Sequence, residues 1–235
     1  MLNSLLSNLP EFELQIITNQ MALVSLPKGQ TLFEMGEVPS HVYFPISAIV
    51  SMLIDMEDGA SIETYMLGNT CMVGAATLGQ PSFYRACVRS AGLAYRMPAQ
   101  AMLNARAKCP VYMQGALAAT NRMFMQLSQA IVCGKRHTIE QQLIRWMLIT
   151  LDRTSSNHIQ ITHQELSEVL GFRREGITLA LGKLTARGSV QVNRGEIVVH
   201  DRSELEASSC ECYWIGQERK RPVAALDGDA HKRLG

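Results

Sequence analysis

Arg173, Arg174, Glu175 and Thr178 open a predicted helix at 173–187, directly behind Gly171 and Phe172. A guanidinium group offers paired donors that match the two acceptors on a guanine edge, and a carboxylate accepts from a cytosine amine. Upstream, Thr162 stands three positions before Glu165, the spacing of a capping box. The open backbone amides at such a helix start can hold a phosphate. Leu166, Val169 and Leu170 form an apolar face, and Gly171 stops the helix. Ile177, Leu181 and Leu184 give the second helix a buried face, leaving Arg173, Arg174, Glu175, Thr178 and Gly182 to point elsewhere. SVQVNRGEIVVHD then reads as two short strands about Asn193-Arg194-Gly195. Helix, glycine turn, helix with a basic first turn, and hairpin together make a winged helix-turn-helix sized for the major groove of double-stranded DNA. Helix pairs also occur in protein-interaction modules, and the pattern alone leaves that reading open.

Six cysteines stand at 71, 87, 109, 133, 210 and 212. The first four are scattered, with no CxxC pair and no histidine at finger spacing, so they read as small buried hydrophobes and no metal site is expected. Cys210 and Cys212, in SSCECY, are two thiols one residue apart and do not complete a metal site by themselves. No nucleophile, base and orienting group come together in a catalytic pattern, so no catalytic residues and no enzyme are expected.

The elements that must position these residues follow from the texture of the chain. Its 235 residues, 47% hydrophobic and 18% charged, suit one large or two modest domains and exclude a mainly disordered chain. No apolar stretch approaches the roughly 18 residues of a membrane span, and MLNSLLSNLPEFE has no basic region before an apolar run. A cytoplasmic protein without a membrane partner is expected. The net charge of +1 is a cancellation. Residues 1–70 carry eight acids and one base, and residues 71–150 carry nine bases and one acid. Such asymmetry marks either an anion site or a solvated face.

An amphipathic helix is predicted over 5–20, carrying Leu5, Leu6, Leu9, Phe12, Ile16 and Ile17. From 22 to 98, turn signals separate the short apolar runs VYFPI, AIVSMLI, IETYML, CMVGAA and CVRSAGLAYRM, a compact β domain. After Pro98 the texture turns helical, and Cys109-Pro110 starts a long helix. Along it, Met113, Leu117, Thr120, Phe124, Leu127 and Ile131 recur at the 4-3 spacing of a coiled-coil seam, which predicts a homodimer. A second helix covers 137–151, and DRTSSNH is a polar loop. The expected organisation is 1–108 sensory domain with flanking helices, 109–136 dimerisation helix, 137–205 winged helix-turn-helix and 206–235 frayed tail.

ITHQELSEVLGFRREGITLALGKL and the following RGSVQVNRGEIVVHD closely resemble the DNA-binding domain of the cyclic-AMP receptor protein and fumarate–nitrate regulator (Crp–Fnr) superfamily. LPKGQTLFEMGEVPSHVYFPISAIVSML resembles the opening of that family's cyclic-nucleotide-binding β-roll, and the helix from Cys109 falls where its dimerisation helix lies. The resemblance covers roughly residues 10–205. It implies an α+β fold with a β-roll, a long dimerisation helix and a winged helix-turn-helix. It also implies that Arg174 and Glu175 contact bases, with Thr178 beside them. The family's later arginine is replaced by Leu179, which packs on a thymine methyl rather than donating to a base. The usual TGTGA-type half-site is therefore not expected to be read in full. Arg173, Thr162 and Gln164 are candidates for the DNA backbone.

In the effector pocket, the resemblance places the family's glycine at Gly74 and its phosphate-binding arginine at Arg85. Ala75 stands where the ribose-binding acid belongs, Ala86 where a small hydroxyl belongs, and Leu127-Ser128 where a Thr-Ser pair contacts adenine. Cyclic AMP in its usual mode is therefore not expected. A small anionic or different nucleotide effector held by Arg85, Arg89 and Arg96, and a filled roll without effector, both remain open. No cysteine precedes Cys71, so the fumarate–nitrate regulator's iron–sulfur cluster is not expected, and His41 alone does not make a haem site. The implied function is a homodimeric, sequence-specific DNA-binding transcription regulator with an effector-sensing roll, RNA polymerase being a further candidate partner. The alternative is a cyclic-nucleotide-binding-like module acting on protein partners.

Overall fold

Pro10 divides the amino-terminal helix predicted over 5–20 into α1 (Ser4–Ser7) and α2 (Glu11–Thr18), taking the N-cap of the second. Lacking an N–H, proline cannot continue the first helix but fits at the start of the next. Phe12, placed on the apolar face by its spacing, points to solvent. The computed structural model describes residues 3–74 and 79–216. The chain divides into two units, Met1–Phe124 and Met125–Gly235. Among the described residues, no helix is long and apolar enough to cross a membrane.

Among the described residues of the first unit, seven strands form two antiparallel sheets. They are β1 (Ala22–Leu26), β2 (Thr31–Phe33), β3 (His41–Pro45), β4 (Ile49–Asp55), β5 (Ser61–Leu67), β6 (Arg85–Ser90) and β7 (Gly92–Pro98), ordered β1-β7-β3 and β2-β6-β4-β5. CVRSAGLAYRM, a single apolar run in the sequence, spans both sheets and turns at Ala91-Gly92 between β6 and β7. A Cβ on Gly92 would lie 2.4 Å from the Ala48 nitrogen, so only glycine permits this close approach. CMVGAA does not form a named strand among the described residues. Val73 alone pairs, exchanging both backbone hydrogen bonds with Tyr43, and Ala75 and Ala76 lie outside the described residues.

The core of this unit gathers Leu6, Ile17, Val42, Phe44, Met97, Met102 and Tyr112 from strands and helices alike. After α3 (Ala99–Ala105), Pro110 begins α4 (Pro110–Arg136), as the proline signal predicts. The start of α4 is capped from the other end of the unit. Glu13, 2% exposed, accepts from Val111 N–H at 3.0 Å with Oε1 and from Tyr112 N–H at 2.8 Å with Oε2.

In the second unit, Thr138 and Gln141 form a capping box that starts α5 (Ile139–Leu151), whose Leu143, Ile144, Met147 and Leu148 are fully buried. There follow β8 (His158–Ile159), α6 (His163–Leu170), α7 (Arg174–Ala186), β9 (Val190–Asn193) and β10 (Glu196–Val199). The hairpin turns at Arg194-Gly195 as expected, with Gly195 at φ 77°. The loop predicted over 152–158 ends in β8, which pairs with β10 and makes the sheet three-stranded, ordered β8-β10-β9.

The expectation of a frayed tail from 206 is corrected over 206–216. The chain continues through α8 (Arg202–Ser208) and α9 (Glu211–Gly216). Cys210, Cys212, Tyr213 and Trp214 are buried. Arg202 ties this segment down by bonding Asp152, Glu206 and the Tyr213 hydroxyl. Apolar burial plus this network outweighs the fraying that chain ends otherwise show. Residues 217–235 of the predicted tail lie outside the described residues.

Candidate nucleic-acid interface and sensory cavity

Gly171 ends α6 in the left-handed conformation (φ 70°), and the Phe172 N–H returns to the Ser167 carbonyl at 3.0 Å. This short turn sets α7 against α6. Ile177, Ala180, Leu181 and Leu184 are buried, and that inward face fixes the outward one. Arg173, Arg174, Glu175, Thr178 and Leu179 are all exposed, Leu179 at 71%. Arg173 and Arg174 form no ion pair among the described residues. The far end of α7 is anchored, since Arg187 pairs with Glu140 of α5 and with Glu204 of α8.

Three of the predicted contact residues are already engaged within the protein. Thr178 Oγ1 donates to the Arg174 carbonyl at 3.0 Å and lies 3.1 Å from His163 Nδ1, so it bridges the start of α6 to the first turn of α7. Gln164 Nε2 donates to Glu168 at 2.8 Å. Thr162 and Glu165 form the predicted capping box, in which the Thr162 N–H is taken by the Glu165 carboxylate. The Thr162 and Glu165 amides are therefore satisfied internally. His163, which no sequence pattern singles out, is the added residue here.

The first unit contains a cavity of about 50 Å³, lined by Phe33, Met52, Tyr65, Gly74, Tyr84 and Met123 among others. Gly74 is where the sequence places it, at φ 88°, and Thr120 lines the cavity from α4. Neither Leu127 nor Ser128 is a lining residue. Ala86 is fully buried beside Met52 in register, while Ala75 lies outside the described residues. Pockets for drug-sized ligands enclose about 300–1,000 Å³, well above this space. Burial pushes the Tyr65 hydroxyl above its ordinary range, which keeps it protonated.

Arg85 does not line the cavity. It donates from Nε and Nη2 to both Asp55 oxygens at 2.7 Å and from Nη2 to the Ser61 hydroxyl at 3.0 Å. That hydrogen bond holds the Asp55 carboxyl at about 2, against an ordinary 3.8. Arg89 faces Glu63 at 3.7 Å. Of the three arginines of the anionic-effector reading, Arg85 and Arg89 of β6 thus face acids of β4 and β5. These two of the nine bases in residues 71–150 thus meet acids of residues 1–70 across strands.

Along α4, Met113, Leu117, Phe124 and Ile131 are 41%, 72%, 61% and 62% exposed. Thr120 and Leu127, the other seam residues, are half-buried.

Residues 23–109 match the family model of the cyclic nucleotide-binding domain, and residues 141–208 match that of the Crp-like helix-turn-helix domain. The chain belongs to the Crp–Fnr family. Its members are transcription regulators, and the Crp-like helix-turn-helix makes this chain a DNA-binding one. Solved Crp–Fnr structures share the fold. A CRP/FNR-family transcriptional regulator from Thermus thermophilus is 17% identical, with 86% of this chain and 100% of that chain covered at a TM-score of 0.65. A CRP-family regulator of the same organism is 16% identical, with 80% and 99% covered at 0.67. The c-di-GMP-responsive global regulator of Xanthomonas campestris is 14% identical, with 81% and 99% covered at 0.66. Among curated proteins, none matches the chain significantly.

The Crp-like model ends at 208, yet the described chain continues into a cluster beyond it. Cys133, His137, Cys210 and Cys212 lie together in the second unit. The expectation of scattered cysteines without a histidine at ligand spacing is corrected here. His137 follows Cys133 by four positions, one helical turn, and this spacing was legible in the sequence.

Proposed function

We propose that this Crp–Fnr protein is a homodimeric, sequence-specific transcription regulator acting in the cytoplasm, whose roll does not bind cyclic AMP in the usual mode. The observation that carries the reading is the exposed face of α7, where Arg174 and Glu175 stand free above a fully buried Ile177. Arg174 is placed to read guanine and Glu175 cytosine, with Arg173 on phosphate. Thr178 serves chiefly to hold α7 to α6, given its bonds to Arg174 and His163. Leu179 offers an apolar surface to a thymine methyl.

Dimerisation through α4 is supported by the exposure of Leu117, Phe124 and Ile131, spaced by one heptad each. A second copy of the same helix is the occupant that a heptad seam fits. Against cyclic AMP stand the small apolar cavity and the commitment of Arg85 to Asp55.

The deciding experiment compares wild type with Arg174→Ala on a selected operator and on random DNA. The variant should lose about 1–3 kcal/mol on the operator only. Equal loss on both would refute base reading, and binding insensitive to salt would favour a protein-interaction module instead.

A further inference from the structure

We propose that Cys133, His137, Cys210 and Cys212 form a closed, tetrahedral Cys₃His site for one zinc ion. The four ligand atoms all lie within 4.8 Å of one another. Two separate edges of this set are fixed: Cys133 Sγ to Cys210 Sγ is 3.7 Å, and Cys212 Sγ to His137 Nδ1 is 3.4 Å. Zinc bonds of about 2.3 Å to sulfur and 2.0–2.1 Å to nitrogen give tetrahedral edges of about 3.8 and 3.5 Å. Both edges therefore match before any ion is added. The sulfurs are not bonded to each other, all four residues are on hand, and the three cysteines are 1–2% exposed.

Local structure explains how the set assembles. Cys133 and His137 are one turn apart at the end of α4, with the His137 N–H bonded to the Cys133 carbonyl at 3.0 Å. Cys210 and Cys212 flank the first residue of α9, where the Tyr213 N–H closes a turn onto the Cys210 carbonyl at 3.1 Å. His137 presents Nδ1 to the cluster and Nε2 to Glu211, 3.4 Å away. A ligating histidine whose second nitrogen donates to a carboxylate is the usual outer support of a zinc site.

Binding replaces three thiol protons, which pass to solvent, with one dication held by three thiolates and a neutral imidazole. The resulting site carries one net negative charge. Arg145 acts electrostatically on Cys133, and its Nε is buried without a hydrogen-bond acceptor. Zinc-bound thiolates supply a counter-charge for that guanidinium. An iron–sulfur cluster uses the same ligand types but interposes its own sulfides, which requires protein sulfurs farther apart than 4.8 Å. Four protein ligands leave no open position, so the ion acts as a clasp holding α9 to the end of α4, not as a catalyst.

The test uses the full chain, expressed with zinc in the medium and purified without chelator. Atomic emission should find about one zinc per chain. After chelator treatment, added cobalt(II) should give the intense visible bands of a tetrahedral ion and thiolate-to-metal charge transfer in the near ultraviolet. Cys212→Ser should lower bound zinc several-fold, and His137→Cys, which restores a four-ligand set, should retain it. Cys87→Ser, remote from the cluster, should bind as wild type. The proposal is overturned by folded protein that holds and takes up less than about a tenth of an equivalent. It is equally overturned by a pale octahedral cobalt spectrum, by acid-labile sulfide with iron, or by zinc retained in full in Cys212→Ser. DNA binding is not read in this experiment, so its outcome is separate from that of the regulatory reading.

Discussion

Glu13→Ala tests how far the first unit depends on one carboxylate. Glu13 is 2% exposed and satisfies the N–H groups of Val111 and Tyr112, which a helix start leaves without partners. The bond to Tyr112 is fully buried and that to Val111 partly so. Truncation orphans both donors, and an unsatisfied buried donor costs about 1–3 kcal/mol. Water reaches the Val111 side, which places that loss near about 1 kcal/mol, whereas Tyr112 takes about 2–3. The sum, about 3–4 kcal/mol, corresponds to a midpoint lower by roughly 6–16 °C in a protein of this size. Glu13→Gln keeps one acceptor oxygen and loses the charge facing the helix dipole, so about half of that loss is expected. Both tryptophans, Trp146 and Trp214, lie in the second unit, so the transition is best followed by circular dichroism together with hydrogen exchange at residues 111–114. A loss below about 1 kcal/mol, or exchange unchanged in that turn, would refute the cap as a stabilising element.

Three further outcomes are open to measurement. Replacing thymine by uracil at the base step facing Leu179 removes only a methyl group; wild type should weaken by about 0.8 kcal/mol, and Leu179→Arg should be indifferent and prefer guanine there. Phe124→Asp should give a monomer in sedimentation at unchanged helix content, and a persistent dimer would dismiss the α4 seam. Because Arg85 holds the Asp55 carboxyl at about 2, below its ordinary 3.8, the ion pair stabilises the fold above about pH 4 and is lost as pH falls through about 2. The stability gap between wild type and Asp55→Asn should therefore close over that interval, and a gap constant from pH 6 to pH 2 would contradict the pairing.

What could be read from the sequence depends on how far along the chain each interaction reaches. The helix-turn-helix was legible because its signals are local: Thr162 with Glu165, Gly171 at the turn, and an apolar face repeating at Ile177, Leu181 and Leu184. The long helix was legible for the same reason, from Pro110 and a repeating seam. Interactions that cross the chain were not. Glu13 caps Val111 from 98 positions away, Arg85 meets Asp55 across 30, and Cys133 touches Cys210 across 77. In each case the residue types are ordinary, and only the pairing of sheets and helices gives them partners. Asp55 and Glu63, which face Arg85 and Arg89, belong to a different charge block of the sequence, so neither pairing shows in the pattern.

The contact between Cys133 and Cys210 has a topological consequence. With an ion fastening both residues, which are 77 positions apart, the chain between them becomes a closed ring that contains α5, α6, α7 and the whole hairpin. Closing a ring of that length removes denatured-state freedom equivalent to about 4–5 kcal/mol, as a covalent cross-link would. A single protease cut within the ring would then leave its two pieces held together, and removing the ion would let them part.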